Sequence, residues 1–375
     1  MSLDDDKLRG CNPVLLVAHL APGGCEKQGY LLARALKERS MRPGVIVWTL
    51  TPEDFYRSHL EKIDIPLVTA PQNQGRWAKL RRLRSLVRTV RPPVLHSMAF
   101  FLNSAAAWAA QMSSTIAVGA IRSDYEFEAD QGYIHYAVNR RWPKTIIANS
   151  ERAWQAALAD RSVFRPRKPL IVFNGIDLSL YMSRSPGTPA VPQILGVGNL
   201  YPGKRWDRLL QSMAGLIASR PELPFTVKIA GEGSERCNLQ RLIQQLDLEQ
   251  SVTLLGRRLD IPDLLSESDI FVMASDSEGT PNAVMEAMAA GLPVVATDVG
   301  DVSRLVADGI NGFVVPCHEQ GHDPMASALA KLLTDPGLRA RMGAAGRARA
   351  ESEFGLDRLA ERVLRAYRQA GWGQS

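Results

Sequence analysis

The chain predicts an α/β protein made of two doubly wound, Rossmann-like parallel-sheet domains. Three observations lead there. Short runs rich in Val, Ile and Leu alternate with helix-length amphipathic stretches along nearly the whole sequence. The series stops at residues 182–192, MSRSPGTPAVP, and then starts again. The length, 375 residues, suits two domains of ordinary size.

In the first half the runs fall at residues 13–18, 44–50, 65–69, 94–96, 115–121, 144–148 and 170–173. Gly, Pro or Asn bounds them, as expected for buried parallel strands. The second series falls at 193–197, 225–230, 252–255, 270–273, 293–297 and 312–315. Between the two, the Pro, Ser and Gly content reads as a linker. The expected division is residues 1–185 and 186–375, with the final helix free to pack back on the first domain. Open α/β sheets take ligands at the carboxyl ends of their strands, so two such domains should face each other across a ligand-binding cleft.

Composition narrows the class. Hydrophobic residues make up 45% and charged residues 22%, the balance of a globular chain and not of a disordered one. No apolar stretch reaches the roughly 20 residues that span a bilayer. The start, MSLDDDKLRG, is acidic and lacks an apolar segment, and the four cysteines form no CxxC pair. A reduced, cytoplasmic setting is therefore expected. Residues 1–185 carry 26 Lys+Arg against 16 Asp+Glu, and residues 186–375 carry 19 against 23. A basic half joined to an acidic half suggests different partners.

Residues 275–297, SDSEGTPNAVMEAMAAGLPVVAT, carry the most chemistry. They follow a strand and read as turn, helix and strand. Thr280 is expected to cap the helix, with Pro281 at its first position. The amides of Asn282 and Ala283 would then point out of a helix start that favours a phosphate. Glu286 lies one turn in, and helical side chains lean back toward the N-terminus, so it suits vicinal hydroxyls such as those of a ribose. Glu278 sits on the turn. A carboxylate beside a phosphate site must be aimed at something else, because like charges repel. Sugar hydroxyls answer that need.

Glu278 and Glu286, followed by EAMAAGLPVVATDVGD, resemble the signature of the retaining nucleotide-sugar glycosyltransferases of family 4, which have the GT-B fold. The resemblance extends to APGGCE near the start, Asn149-Ser150, Asn174-Gly175-Ile176-Asp177, GVGNLYPGKR and DGINGFVV. It implies a retaining transfer of sugar from a nucleoside diphosphate to a hydroxyl acceptor, in polysaccharide or glycolipid assembly. Lys204 matches the family's diphosphate-binding lysine. Asn199 stands where Arg is common, so Arg205 is expected to share the charge. Glu278 resembles the residue on the transferred sugar, and Glu286 the one on the ribose. Gly279, Thr280, Pro281 and Asn282 would cradle the diphosphate, with Gly24 from the first loop. Gly23, His96 and Arg122 are candidate acceptor or sugar contacts. A lone histidine such as His96 is more often structural, and Arg122 can equally pair with Asp124 or Glu126.

No cofactor and no metal are expected. The only Asp-x-Asp is Asp4–Asp6, and Cys317, His318 and His322 lack a fourth ligand. Expected partners are a nucleotide sugar and a sugar or lipid-linked acceptor. Nucleic acid is not expected, since no zinc knuckle or RNP-like aromatic pattern accompanies the basic half. Residues 76–91, RWAKLRRLRSLVRTVR, hold seven basic residues and no acid around an apolar stripe, which suits an anionic membrane surface. The rival readings are an epimerase or hydrolase on the same fold, or a non-catalytic binding protein.

Overall fold

The computed structural model describes residues 6–72, 74–122, 143, 145–159, 169–182, 191–317 and 323–373. They form two compact units, residues 1–175 with 356–375, and residues 176–355.

The first unit holds β1 (Val14–Val17), β2 (Gly44–Val47), β3 (Leu67–Thr69), β4 (Val94–Ser97), β5 (Ile116–Ile121), β6 (Thr145–Ala148) and β7 (Pro169–Ile171). They pair in parallel in the order β3-β2-β1-β4-β5-β6-β7. Period-2 alternation sends the two faces of the sheet to separate cores. Leu15, Val17, Val45 and Val47 join α1 (Gly24–Glu38) and α2 (Phe55–Lys62). Val14, Leu16 and Ile46 join α3 (Arg76–Val90) and α4 (Asn103–Ala110). A further helix, α5 (Glu151–Ala159), is capped by Ser150, whose hydroxyl accepts from the Ala153 amide at 3.2 Å.

The second unit repeats the plan with β8 (Gln193–Val197), β9 (Thr226–Ala230), β10 (Val252–Gly256), β11 (Ile270–Met273), β12 (Val294–Thr297) and β13 (Gly312–Val315). Their order is β10-β9-β8-β11-β12-β13, again parallel. On one face Ile194, Val227, Val272 and Val295 meet α6 (Trp206–Ser219), α7 (Arg236–Gln245) and, later in the chain, Met325, Leu329 and Leu332. On the other, Leu195, Phe271 and Val294 meet α8 (Ile261–Ser266) and α9 (Asn282–Ala289). The remaining helices are α10 (Val302–Leu305), α11 (Pro324–Thr334), α12 (Pro336–Glu353) and α13 (Leu356–Gln369).

The division between units differs from the expected 185/186 boundary. Ile176 and Tyr181 are buried in the second unit's core, and the Ile176 amide donates to the Phe354 carbonyl at 2.8 Å. The chain returns at α13, whose Leu359, Ala360, Val363 and Tyr367 recur at helical spacing and lie buried in the first unit's core with α1. Gly175 explains part of the Asn174-Gly175-Ile176-Asp177 motif. A Cβ there would meet Leu359 Cδ2 at 2.6 Å, and the side chain of Gln28 hydrogen-bonds both its amide and its carbonyl. Most of the linker, 183–190, lies outside the described residues.

Candidate active site

In each sheet the strand order reverses at one point, between β1 and β4 in the first and between β8 and β11 in the second. Crevices at the carboxyl ends of such strands are where ligands bind. In the second unit the loops after β8 and β11 carry Lys204 and Glu278, so residues 74 apart in sequence meet. Lys204 Nζ donates to Glu278 Oε1 at 2.5 Å, and the Ser275 hydroxyl donates to the same oxygen at 2.7 Å. Both side chains are partly accessible, Lys204 at 30% and Glu278 at 13%.

Asp276 knits the two loops together. Its amide donates to the Gly203 carbonyl at 2.9 Å, and its carboxylate takes Arg205 Nη1 at 2.8 Å and Arg208 Nη2 at 2.5 Å. Burial alone would raise this carboxyl, but the hydrogen bonds from Arg205 and Arg208 outweigh it and hold it below its ordinary range. Arg205 is therefore placed differently from the expectation that it shares the diphosphate charge. Its guanidinium donates to Asp207 and Asp276, and these hydrogen bonds, first to Asp207 and then to Asp276, hold its proton more tightly than usual. Asn199 is exposed, and its carbonyl accepts from Trp206 Nε1 at 3.0 Å.

The turn into α9 differs at its cap. Pro281 is itself the N-cap, with extended backbone and no side-chain cap of its own, and Asn282 is the first helical residue. A proline's missing N–H costs nothing at the cap either, so the sequence preference is met one position earlier than expected. Gly279, Thr280 and Pro281 are buried. Behind them Gly300 adopts φ +53°, and a Cβ there would collide with the carbonyls of Glu278 and Gly279. The Asp301 amide donates to the Gly279 carbonyl at 3.0 Å, which fixes the turn. Glu286 lies one turn into α9 and is only 7% exposed. A fixed turn, a helix start and a lysine-bearing loop thus meet in one unit, the arrangement that binds anions.

Sequence reasoning missed Ser275, Asp276 and the Gly231-Glu232-Gly233 turn after β9. Cβ atoms at Gly231 and Gly233 would strike the backbone at Gly198 and Leu200, so these glycines let the Lys204 loop lie close. A Gly-x-Gly following a strand was the available signal.

The first unit's candidates divide. His96 is fully buried on β4, and its Nδ1 meets the Tyr367 hydroxyl at 2.9 Å. Burial, and then the charge of Arg122, push its imidazole well below the usual range. The ring is packed inside the fold, not offered to a ligand as the candidate contact role required. Arg122 is 7% exposed, with Nη1 3.5 Å from Asn174 Oδ1 and Nη2 3.6 Å from Met98 Sδ, while Asn149 donates to its carbonyl at 3.0 Å. Asp124 and Glu126 lie outside the described residues. Gly23 caps α1 and Gly24 opens it. The Glu26 side chain folds back over Gly23, where a Cβ would collide with it. Among the described residues no three His, Cys, Asp or Glu side chains are grouped to hold a metal; Asp4, His318 and His322 are outside them.

Two parallel α/β sheets, each with one switch point, define a two-domain Rossmann-like protein. Two family models match: Glycosyltransferase Family 4 over residues 22–180, and Glycosyl transferases group 1 over residues 185–349. An uncharacterized glycosyltransferase of Haemophilus influenzae is 35% identical over 169 residues, 45% of this chain and 46% of its own length. The D-inositol 3-phosphate glycosyltransferase of Kribbella flavida is 32% identical over 227 residues, 55% of this chain and 52% of its own. The chain thus spans about half the length of the curated relatives it matches. Among solved structures, Anabaena HepE in complex with UDP-glucose superposes with a TM-score of 0.79 at 22% identity, covering 95% of this chain and 99% of that one. The chain belongs to the glycosyltransferases of family 4, and its fold is GT-B.

Proposed function

We propose that the protein is a retaining, metal-independent glycosyltransferase, which moves a sugar from a nucleoside diphosphate to a hydroxyl acceptor in polysaccharide or glycolipid assembly. One observation carries this reading. Lys204, Glu278 and Ser275 are joined at the turn into α9, with Glu286 buried one turn behind. Departure of the diphosphate builds negative charge, which Lys204 and the helix start stabilise as it develops. Glu278 holds the sugar and supports the positive charge on its anomeric carbon. The acceptor attacks from the face the phosphate leaves, and its proton passes to that phosphate. The complex of the HepE protein with UDP-glucose makes uridine donors the first to try.

The test is a nucleotide-sugar panel read by thermal stabilisation, then by nucleoside diphosphate release with lipid-linked and free sugar acceptors. Stabilisation by one donor and acceptor-dependent release support transfer. Release at the same rate without acceptor would show a hydrolase, and no stabilisation by any donor would defeat the reading.

A second reading concerns α3, for which we propose peripheral docking on the cytoplasmic face of an anionic membrane. Of the expected apolar stripe Leu83 and Val87 are buried and Leu80 and Val90 half-buried, and Leu86 is buried beside them. Trp77 is 74% exposed, and Arg76, Arg81, Arg88 and Arg91 are exposed around it. Two of the seven basic residues turn inward. Lys79 donates to the Trp48 carbonyl at 2.9 Å, and Arg84 stacks 4.6 Å over the Trp108 ring. Each exposed arginine contributes about 1 kcal/mol near an anionic surface. Co-sedimentation with anionic vesicles at low salt, lost at high salt and lost when Arg76, Arg81, Arg88 and Arg91 become Gln, is expected. Binding to neutral vesicles alone, or none, refutes it. No described helix is long and apolar enough to cross a membrane.

A further inference from the structure

Ser275 lies just past the end of β11 and is 1% exposed. The backbone around it is tied at three consecutive residues. The Ala274 carbonyl accepts from Arg208 Nη1 at 2.6 Å, and the Ser275 carbonyl accepts from the Thr297 hydroxyl at 2.6 Å. The Asp276 amide donates to the Gly203 carbonyl at 2.9 Å. Thr297 is itself fully buried at the end of β12. The serine hydroxyl is thus a fixed point, anchored by two neighbouring strands and by the Lys204 loop.

That hydroxyl donates to Glu278 Oε1 at 2.7 Å, the length of a charge-assisted bond. Lys204 Nζ donates to the same oxygen, and among the described residues Oε2 takes no bond. One oxygen of the carboxylate is therefore held by the protein and the other is open. The two holders differ in kind. Lys204 is a charge on a flexible stem, which a diphosphate attracts, whereas Ser275 is neutral and fixed in place. When the lysine turns to a diphosphate, Glu278 loses its counter-ion just as a like charge arrives to repel it. A glutamate freed at that moment would spread over its rotamers. The bond from Ser275 is the one that stays.

We propose that Ser275 is a positioning residue, which holds Glu278 Oε1 after Lys204 has gone to the diphosphate and so keeps Oε2 directed at the sugar. It acts through Glu278, and Thr297 acts one step behind it by fixing the Ser275 carbonyl. Neither hydroxyl is assigned a proton transfer. The proposal rests on the glycosyltransfer reading for what Oε2 faces, while the holding of Oε1 is independent of it.

The first test is a pair of crystal structures, wild type and Ser275→Ala, each with inorganic pyrophosphate. In the wild type Lys204 turns to the pyrophosphate and Glu278 Oε1 stays within about 3 Å of the serine hydroxyl. In Ser275→Ala the lysine turns likewise, and the carboxylate leaves its place or divides among rotamers. The second test uses the donor that stabilises the wild type. Ser275→Ala should lower kcat about tenfold, the loss of one hydrogen bond to a charged group, with donor affinity and acceptor KM changed less than about twofold. In a Glu278→Ala background there is no carboxylate to hold, so the same serine replacement should change kcat by less than about twofold. Thr297→Val, which removes the bond to the Ser275 carbonyl, should lower kcat by a smaller factor than Ser275→Ala does.

A carboxylate that leaves Ser275 in the wild type, one that keeps its place without the hydroxyl, or no pyrophosphate beside Lys204 overturns the proposal. So does a tenfold loss that persists in Glu278→Ala, because the serine would then act on something other than that carboxylate. Failure of the donor panel with the two crystal structures as expected overturns the glycosyltransfer reading and leaves the holding of Glu278 standing.

Discussion

Glu278→Gln should tighten nucleoside diphosphate binding while it slows transfer. The Lys204 ammonium is held by Glu278 at 2.5 Å, so a diphosphate must draw that lysine away before it gains the full attraction. Two unit charges 4 Å apart attract by about 4 kcal/mol at an effective dielectric near 20. Lys204 is 30% exposed, so screening and desolvation bring the net worth of the pair down to about 1–2 kcal/mol. The glutamine keeps a hydrogen-bonding oxygen for Ser275 but releases the lysine charge. Affinity for the nucleoside diphosphate that stabilises the wild type should then rise roughly 5–30-fold. Turnover should fall on the order of 100-fold, as when one preorganised electrostatic contact is lost. Isothermal titration gives the first number and single-turnover kinetics the second. Lys204→Met in both backgrounds closes a double-mutant cycle that isolates the pair. Unchanged or weaker diphosphate binding in a folded Glu278→Gln protein would refute the idea that the ion pair must open.

Three further outcomes are expected. Glu286→Ala should weaken donor binding roughly tenfold with a smaller effect on turnover, read by donor titration; equal losses in both would deny it a ribose-holding role. Transfer should persist in excess EDTA, because Lys204 and a helix start are the proposed diphosphate partners; full loss restored by Mg²⁺ or Mn²⁺ would contradict that. His96 is held well below its unfolded value of 6.5, so below about pH 6.5 the unfolded chain binds a proton that the folded chain does not. Stability should therefore fall with acid by up to about 1.4 kcal/mol per pH unit from this residue, and urea titrations of His96→Asn between pH 7 and 5 should show a shallower slope.

Hydrophobic periodicity reports on burial within a few residues, and each expected run indeed carries a strand. The Gly-Thr-Pro-Asn turn was legible because backbone chemistry restricts which residues stand at a helix start, whereas Lys204 and the separate roles of Glu278 and Glu286 were implied by the family resemblance. What the sequence hid is which partner a side chain takes. Arg205 looked like a free cation beside Lys204, but Asp276, 71 residues away, engages it. The sequence allowed His96 a structural role but could not name its partner, Tyr367, which closes over it from a helix 271 residues on. The unit boundary was misplaced for the same reason: Ile176 and Tyr181 carry no local mark of the core they join. Gly300 was visible as a glycine, but only the carbonyls of Glu278 and Gly279 against it give it a purpose.

The return of α13 to the first unit has a consequence for how the protein comes off the ribosome. The first unit is interrupted after Gly175 and completed only from Leu356 onward. Until then Leu31, Leu32 and Leu36 lack the cover that Leu359, Val363 and Tyr367 supply, and His96 lacks its hydroxyl partner. At roughly 5–20 residues per second, synthesis of the intervening unit leaves that surface open for on the order of ten seconds or longer. The earlier-made half must therefore wait until α13 has been made, whereas the later-made half can close as soon as its own last helix emerges.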